Sequence, residues 1–314
     1  MLKKFAYRRA RTLNEASAAA RLPGARIMAG GTDLLGCIRD DVFEAATVVS
    51  ISHLKQLKGI SATPAGGLRI GALTTLAEVE SSKEIREKYT ALAEAAASAA
   101  SPQLRNQGTL GGNICQRPRC WYFRGGFDCA RKGGDMCYAV VGENQYHAIF
   151  GAETCYAVHP SDTAPTLVAL NASIRISGAR GARTVAAEKF FVPAAQDVTK
   201  ETVLAAGEIV TEVILPPVPA GMRSTYRKVR ERGSWDFALA SVAVAVSAPN
   251  NARIVLGGAA VTPWRSAAAE KAYASGAAPS QVAEAAVAGA QPIDKNAYKV
   301  PLFRGTVEEV LSKL

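Results

Sequence analysis

The stretch MAGGTDLL, residues 28–35, joins the end of an apolar strand pattern to two adjacent glycines, a threonine and an aspartate. Adjacent glycines leave backbone N–H groups uncovered by Cβ atoms, and such groups form a concave anion site suited to a pyrophosphate. Thr32 adds a hydroxyl donor, and Asp33 is expected to cap the turn that follows. The spacing is not GxGxxG, so the dinucleotide fingerprint does not apply. Taken alone, the stretch is more typical of a tight turn.

A second glycine loop, GTLGGNI, occupies residues 108–114. Two such loops in one domain suit a dinucleotide held from both sides, with Asn113 able to bond a ribose or a phosphate. Further along, HPSD (159–162) places Asp162 at the expected start of a helix. Asp162 there either caps the helix or bonds a ribose hydroxyl.

Local patterns predict a mixed α+β chain. Capping boxes at Thr12/Glu15 and Thr75/Glu78 mark helix starts, the first helix running over 13–22. Residues 101–114 contain proline, glycines and side-chain amides, and are expected to form a loop rather than a helix. We also expect an Ala-rich helix over 91–100, a strand followed by a helix that Ser161 caps, and a hairpin at 173–185. The Pro-rich stretch at 215–222 is the expected domain boundary. Three strands and then three helices are expected beyond it.

Composition bounds the class of protein. The chain has 314 residues, enough for two or three domains, and no apolar run of the length a membrane span needs. Its first residues lack the apolar core of a secretory signal, so we expect a cytoplasmic protein, or a periplasmic one exported folded with a signal-bearing partner. The net charge of +10 leaves open a zinc-bound nucleic-acid module, but aromatic and basic residues are not interleaved, and we expect no nucleic-acid partner.

Four ordered motifs resemble the FAD-binding medium subunit of the xanthine dehydrogenase family of molybdenum hydroxylases. They are AGGTDLL (29–35), TLGGNI (109–114), PSD (160–162) and YRKVRER (226–232). The resemblance implies a two-lobed vanillyl-alcohol-oxidase-type (PCMH-like) FAD-binding domain over 1–217, with lobes of about 1–58 and 59–217. An iron–sulfur insertion would lie at about 115–155, and a carbon monoxide dehydrogenase flavoprotein-like α+β domain at 222–314.

The resemblance also implies the residues that hold FAD. The pyrophosphate would lie on the two glycine loops, and Lys228 would approach the flavin ring from the C-terminal domain, together with Arg230, Trp235 and Asp236. For Lys228 and its neighbours the equal alternative is a solvated basic strand end, and Tyr226 is expected in the core. The implied FAD-binding set is Ala29, Gly30, Gly31, Thr32, Asp33, Leu34, Thr109, Gly111, Gly112, Asn113, Asp162 and Lys228.

A minority of the family, the subunits of 4-hydroxybenzoyl-CoA reductase and of periplasmic aldehyde oxidoreductases, carries a cysteine segment that binds a [4Fe–4S] cluster. The matching landmarks, PRC (118–120) and CYAVHPSD (155–162), imply ligands at Cys120, Cys129, Cys137 and Cys155. The intervening spacings of eight, seven and seventeen residues match neither a zinc knuckle nor the compact ferredoxin run.

Alternatives for the cysteines are two disulfides, a zinc site or unpaired thiols. Cys115 is expected to be a buried thiol, Cys37 a core residue, and His147 a structural histidine that is also a conceivable substitute ligand. Five basic residues are expected to offset the negative charge of the cluster and to raise its reduction potential: Arg117, Arg119, Arg124, Arg131 and Lys132.

By resemblance, the chain would be the electron-transfer subunit of a heterotrimer. A large subunit with a molybdenum cofactor would oxidise the substrate, and a small subunit with two [2Fe–2S] clusters would pass electrons to FAD and on to an external acceptor. The segment between Cys137 and Cys155 favours aldehyde oxidation to a carboxylic acid. The alternative is a 4-hydroxybenzoyl-CoA reductase-like subunit with reversed electron flow. A flavin-only oxidase would need a catalytic acid or base, and none can be named.

Overall fold

A computed structural model describes residues 3–314, and its first sheet carries the first glycine loop. Strands β1 (Ala6–Arg9), β2 (Ala25–Met28) and β3 (Thr47–Ser50) run parallel in the order β1-β3-β2, with helices α1 (Leu13–Ala19) and α2 (Leu34–Arg39) between them. The hydroxyl of Thr12 caps α1 as predicted, accepting from the Glu15 N–H. The helix ends three residues earlier than expected, because Arg21 and Leu22 close i→i−3 turns.

The second sheet is five-stranded and antiparallel. Its strands, in chain order, are β4 (Ile60–Ala62), β5 (Leu68–Gly71), β6 (Ser173–Gly178), β7 (Gly181–Ala186) and β8 (Ile209–Leu215). They pair in the order β4-β5-β8-β6-β7. The hairpin predicted from the sequence is β6–β7, at one edge of this sheet.

Most helices lie in the long connection between β5 and β6. They are α3 (Leu76–Ser81), α4 (Lys83–Lys88), α5 (Thr90–Ser98), α6 (Pro102–Gln107), α7 (Leu110–Ile114), α8 (Trp121–Arg124) and α9 (Thr163–Ala169). The predicted capping box at Thr75/Glu78 starts α3, and the Ser161 hydroxyl accepts from the Ala164 N–H at the start of α9. Residues 155–160 form no strand, contrary to expectation.

The prediction of a loop over 101–114 is wrong, because this stretch folds into α6 and α7. Ser101 caps α6 by accepting from the Leu104 N–H, and Pro102 occupies the first helical turn, where its missing N–H is not needed. Thr109 likewise caps α7 by accepting from the Gly112 N–H at 3.1 Å. Two local caps therefore outweigh the low helix propensity of the glycines.

The third sheet is antiparallel and separates two parts of the core. Its strands are β9 (Arg223–Val229), β10 (Ala240–Ala248), β11 (Asn251–Gly257) and β12 (Trp264–Arg265), and its helices are α10 (Ala267–Ala274), α11 (Pro279–Val287) and α12 (Lys299–Lys313). Side chains of β10 alternate, with Ala243 packing toward α5 and α9 and Val244 toward the C-terminal helices. This architecture confirms the α+β class; the domain boundary at 215–222 stays a prediction. Within residues 3–314, no helix combines the length and apolar character needed to cross a membrane.

The cysteine segment, residues 115–155, has little regular structure and is bound by Asn296 and Lys299. The side-chain amide of Asn296 donates to the carbonyls of His147 and Ala148, both at 3.1 Å. The ammonium group of Lys299 is fully buried and donates to the carbonyls of Gly258 at 2.6 Å and His147 at 3.1 Å. These bonds fix the end of the segment against α12.

Lys299 makes a pH-dependent contribution to stability. Burial lowers its pKa from the ordinary 10.5 to about 7. The unfolded chain thus keeps the proton to a higher pH than the folded chain, so stability rises with pH between these two values. We expect Lys299→Met to remove an increase of about 2 kcal/mol in the free energy of unfolding between pH 7 and pH 9. Urea unfolding at the two pH values measures it.

The matched control is Lys271→Met, since Lys271 lies on the exposed face of α10. That variant should keep the full increase. Equal pH dependence in the unchanged protein and in Lys299→Met would contradict the assignment.

Candidate functional site

The two glycine loops meet in the structure. A Cβ atom on Gly30 would lie 2.0 Å from the carbonyl oxygen of Gln107, so only glycine permits this approach of the two backbones. The side-chain amide of Gln107 in turn donates to the carbonyl of Gly30 at 3.1 Å. Gly31 has a φ of 75°, which also favours glycine. The first loop is therefore placed directly against the start of the second.

The second loop is packed on one side and open on the other. Gly111 lies against Ala72, where an added Cβ would come within 2.8 Å of the alanine Cβ, while Gly112 is exposed, as is Thr32 on the first loop. Thr109 is buried, and Ala29 and Leu34 are half-buried. Each loop therefore has an exposed residue, Thr32 on the first and Gly112 on the second.

Asn113 connects the second loop to the HPSD motif. Its side-chain carbonyl accepts hydrogen bonds from the hydroxyls of Ser161 at 2.5 Å and Thr163 at 2.7 Å. The expected bond to a ribose or phosphate is thus left to the amide nitrogen of Asn113. The contact brings the second loop and residues 159–162 together, although they are far apart in the sequence.

Asp33 does not cap the turn that follows it. Its carboxylate accepts from the backbone N–H of Arg117 at 2.8 Å, from Arg124 at 2.8 Å and from the guanidinium of Arg119. Burial favours the neutral acid, but the charges of Arg119 and Arg124 and the Arg117 N–H outweigh it and hold the pKa of Asp33 below its ordinary value. Asp33 therefore fixes the position of residues 117–124 of the cysteine segment. The sequence did not indicate this role.

A cavity of about 310 Å³ opens at the HPSD motif, whose Ser161 lines it and also binds Asn113 of the second loop. Its volume is in the range of small-molecule sites. Aromatic and aliphatic side chains form much of its wall, and Asp162 and Arg119 add polar groups. Its lining residues include Trp121, Tyr146, His147, His159, Phe237 and Leu239.

Asp162 and Lys228, predicted separately, bind each other. The ammonium of Lys228 lies 2.8 Å from one carboxylate oxygen of Asp162, and the hydroxyl of Tyr226 donates to the other at 2.7 Å. All three residues are buried, which confirms Tyr226 as a core residue. Arg230 bonds the carbonyl of Ser98 instead of facing the cavity. Among the other candidates, Asp236 lines the cavity, whereas Trp235 is 63% exposed and does not.

The four predicted ligand cysteines line one small cavity, next to the first. These residues are Cys120, Cys129, Cys137 and Cys155. Cys115 does not line it and packs against the main core instead, where burial raises the pKa of its thiol to about 12. Cys37 is fully buried, as predicted. All six thiols are free, so the two-disulfide alternative is not formed.

The donor set of this cavity is four thiols, the ligands that an iron–sulfur cluster would take. Among residues 3–314, no three His, Cys, Asp or Glu side chains converge closely enough to hold a metal ion. Four arginines are shared between only two carboxylates, leaving a net charge of +2 to offset a dianionic cluster. The groups are Arg117, Arg119, Arg124 and Arg131 with Asp33 and Glu201.

Most of the basic residues predicted to lie beside the cysteines have other partners. Arg119 and Arg124 bind Asp33, Arg117 binds Glu201, and Lys132 donates to the carbonyl of Gly125. These four residues therefore make no direct contact with a cysteine sulfur, and their expected effect on the charge of a cluster stays a prediction. Two other groups do approach the sulfurs. Arg131 Nε donates to Cys155 Sγ at 3.4 Å, and His147 Nε2 lies 3.3 Å from Cys120 Sγ.

Two glycine loops in contact, connected through Asn113 and Ser161 to a largely apolar cavity, suit a protein that holds a dinucleotide cofactor. The chain belongs to a family of flavoproteins: the family model "FAD binding domain in molybdopterin dehydrogenase" matches residues 3–218. It is an FAD-binding subunit of the molybdenum hydroxylase type and part of an oxidoreductase.

The similarity to known proteins extends over most or nearly all of the chain. The aldehyde oxidoreductase FAD-binding subunit PaoB of Escherichia coli is 38% identical over 99% of this chain and 98% of its own. The glyceraldehyde dehydrogenase medium chain of Sulfolobus acidocaldarius is 30% identical over 85% of this chain and 80% of its own. A solved structure of carbon monoxide dehydrogenase from Hydrogenophaga pseudoflava superposes with a TM-score of 0.78 at 26% identity, covering 99% of this chain and 97% of that one.

Gly30→Ala tests the loop contact. The added Cβ would collide with the Gln107 carbonyl, so we expect the purified protein to lose most of its FAD, measured as flavin released per chain. Gly36→Ala is the matched control, because Gly36 lies inside α2 with only Arg124 at 4.0 Å. It should keep a full complement of FAD. Normal FAD content in Gly30→Ala would show that the loops do not form the cradle.

Proposed function

We propose that this chain is the electron-transferring FAD subunit of a heterotrimeric molybdenum hydroxylase that oxidises aldehydes to carboxylic acids. The observation that carries the proposal is its full-length similarity to an aldehyde oxidoreductase FAD-binding subunit. The partners would be a large subunit with the molybdenum cofactor and a small subunit with two [2Fe–2S] clusters. A second relative is a glyceraldehyde dehydrogenase chain, so aldehyde oxidation is preferred to the reductase alternative.

For FAD, the loops supply the phosphate site. Backbone N–H groups of Gly30 and Gly31, with the hydroxyl of Thr32, would hold the diphosphate, and the cavity lined by Ser161 and Asp162 would receive the flavin ring. Bound FAD supplies the redox chemistry. The chain binds it, orients it and excludes water around it.

The buried Asp162–Lys228 pair would act mainly on orientation. Since each charge already has a partner at 2.8 Å, the pair can border the flavin without leaving an uncompensated charge. Asn113, tied to Ser161 and Thr163, would present its amide nitrogen to the cofactor from the other side.

The cysteine cavity would hold a [4Fe–4S] cluster with Cys120, Cys129, Cys137 and Cys155 as ligands. Burial raises the pKa of the Cys120 thiol to about 12, so ligand binding there would have to displace a proton, as metals do when they bind thiols. The surplus positive charge of the surrounding arginines favours that displacement.

The two cavities have a wall in common. Cys120 and Ala157 line both of them, so one ligand sulfur of the cluster would border the flavin pocket. This closeness supports a relay in which the cluster and the flavin exchange electrons without an intervening protein layer.

Cys129→Ser tests the cluster. We expect loss of about four irons per chain from the anaerobically purified complex, with FAD retained because the glycine loops are untouched. Iron, acid-labile sulfide and flavin analysis measures it, after subtracting the iron of the small subunit. Cys115→Ser is the control and should keep its iron. Loss of iron from Cys115→Ser alone would show that the ligand assignment is wrong.

Anaerobic mixing of the intact complex with aldehydes tests the reaction. We expect the flavin absorbance to bleach, because electrons from the aldehyde reach this subunit. A complex carrying Gly30→Ala should still oxidise the aldehyde with an artificial dye but show no flavin signal. Turnover of 4-hydroxybenzoyl-CoA with a low-potential donor, with no bleaching by any aldehyde, would support the reductase alternative instead.

A further inference from the structure

Arg131 differs from every other basic residue of the cysteine segment. Its side chain is 2% exposed, and its Nε–H donates to Cys155 Sγ at 3.4 Å. In the part of the chain that the structure describes, Arg131 is the one of these five basic residues that donates to a cysteine sulfur. It also lines the cysteine cavity itself.

Glu201 and a backbone carbonyl fix the position of Arg131. The Nη1 atom of its guanidinium group donates to the carboxylate of Glu201 at 2.9 Å and to the carbonyl of Lys200 at 3.3 Å. The same carboxylate also binds Arg117 at 2.8 Å, so one negative charge is shared by two arginines. Arg131 is therefore held firmly while its own charge is only partly neutralised.

A charge and an N–H group in this place bear on electron affinity. A tetrathiolate four-iron cluster carries −2 when oxidised and −3 after gaining one electron, so a fixed positive charge favours the reduced form. Hydrogen bonds to the sulfurs act in the same direction. The low dielectric of a buried site strengthens both effects.

We propose that Arg131, held by Glu201, is the residue that sets the reduction potential of the cluster bound by this chain. Arg131 is a positioning and tuning residue, not an iron ligand. The inference rests on the proposed function, since it requires a cluster at the four cysteines. It adds that removing the charge of Arg131 lowers the reduction potential of the cluster, whereas removing the charge of Glu201 raises it.

The experiment is a potentiometric titration of the anaerobically purified complex with dithionite, followed by low-temperature EPR of the four-iron signal. Arg131→Met removes the cation, so at a fixed applied potential we expect an about tenfold lower ratio of reduced to oxidised cluster, equal to a shift of 59 mV for a one-electron couple. Glu201→Gln removes the opposing anion while keeping Arg131, and should shift the ratio the other way. Arg131→Lys keeps the charge and should lie between Arg131→Met and the unchanged protein.

Glu188→Gln is the matched control. Glu188 also binds two arginines, Arg253 and Arg265, but lines neither cavity. Its removal should leave the potential unchanged. This control separates a local effect on the cluster from a general effect of lost ion pairs.

The outcomes distinguish a failure of the proposed cluster from a failure of the role proposed for Arg131. Absence of a four-iron signal from the unchanged complex would overturn the cluster, and the inference with it. A normal signal whose potential stays the same in both Arg131→Met and Glu201→Gln would overturn the inference alone. If Arg131→Met loses its cluster, Glu201→Gln carries the test, and a shift to lower potential or none would overturn the inference.

Discussion

The carboxylate of Asp33 is the contact on which the rest of the site depends. Asp33 follows the first glycine loop directly, and its carboxylate accepts from Arg119, Arg124 and the backbone N–H of Arg117. Removing one partner of a buried ion pair typically costs about 3–5 kcal/mol, because the other charge is left uncompensated. The glycine loop and the start of the cysteine segment are therefore fixed relative to each other.

Residues beyond the Pro-rich stretch at 215–222 make further contacts with this arrangement. Asn296 and Lys299 bind backbone carbonyls near His147, while the Lys228 ammonium reaches from β9 to Asp162. The cysteine segment is thus held at its start by Asp33 and near its end by α12. This double attachment explains how a segment with so little regular structure can bring four thiols to one cavity, next to the pocket proposed for the flavin.

Local signals in the sequence were sufficient for much of the fold. The capping threonines Thr12 and Thr75 start helices where expected, and the hairpin at 173–185 forms β6 and β7. Each of these depends on neighbours within a few residues. The error at 101–114 arose because glycine content was weighed above the caps supplied by Ser101 and Thr109.

Contacts between distant residues could not be predicted in the same way. Nothing local indicates that Asp33 binds arginines more than eighty residues away, or that Asp162 and Lys228 neutralise each other. From charge alone, all five basic residues of the cysteine segment were expected to offset the charge of a cluster. In the structure, Arg131 is the one of the five that donates to a cysteine sulfur. The family resemblance indicated which residues belong to the site, and the fold determined their partners.

Iron-edge anomalous diffraction from anaerobically grown crystals of the intact complex would test the central claim most directly. The account predicts four iron peaks inside the cavity bounded by Cys120, Cys129, Cys137 and Cys155, with FAD density extending from the glycine loops into the cavity beside Cys120. A cysteine cavity without iron, or one occupied by a single zinc ion, would contradict it.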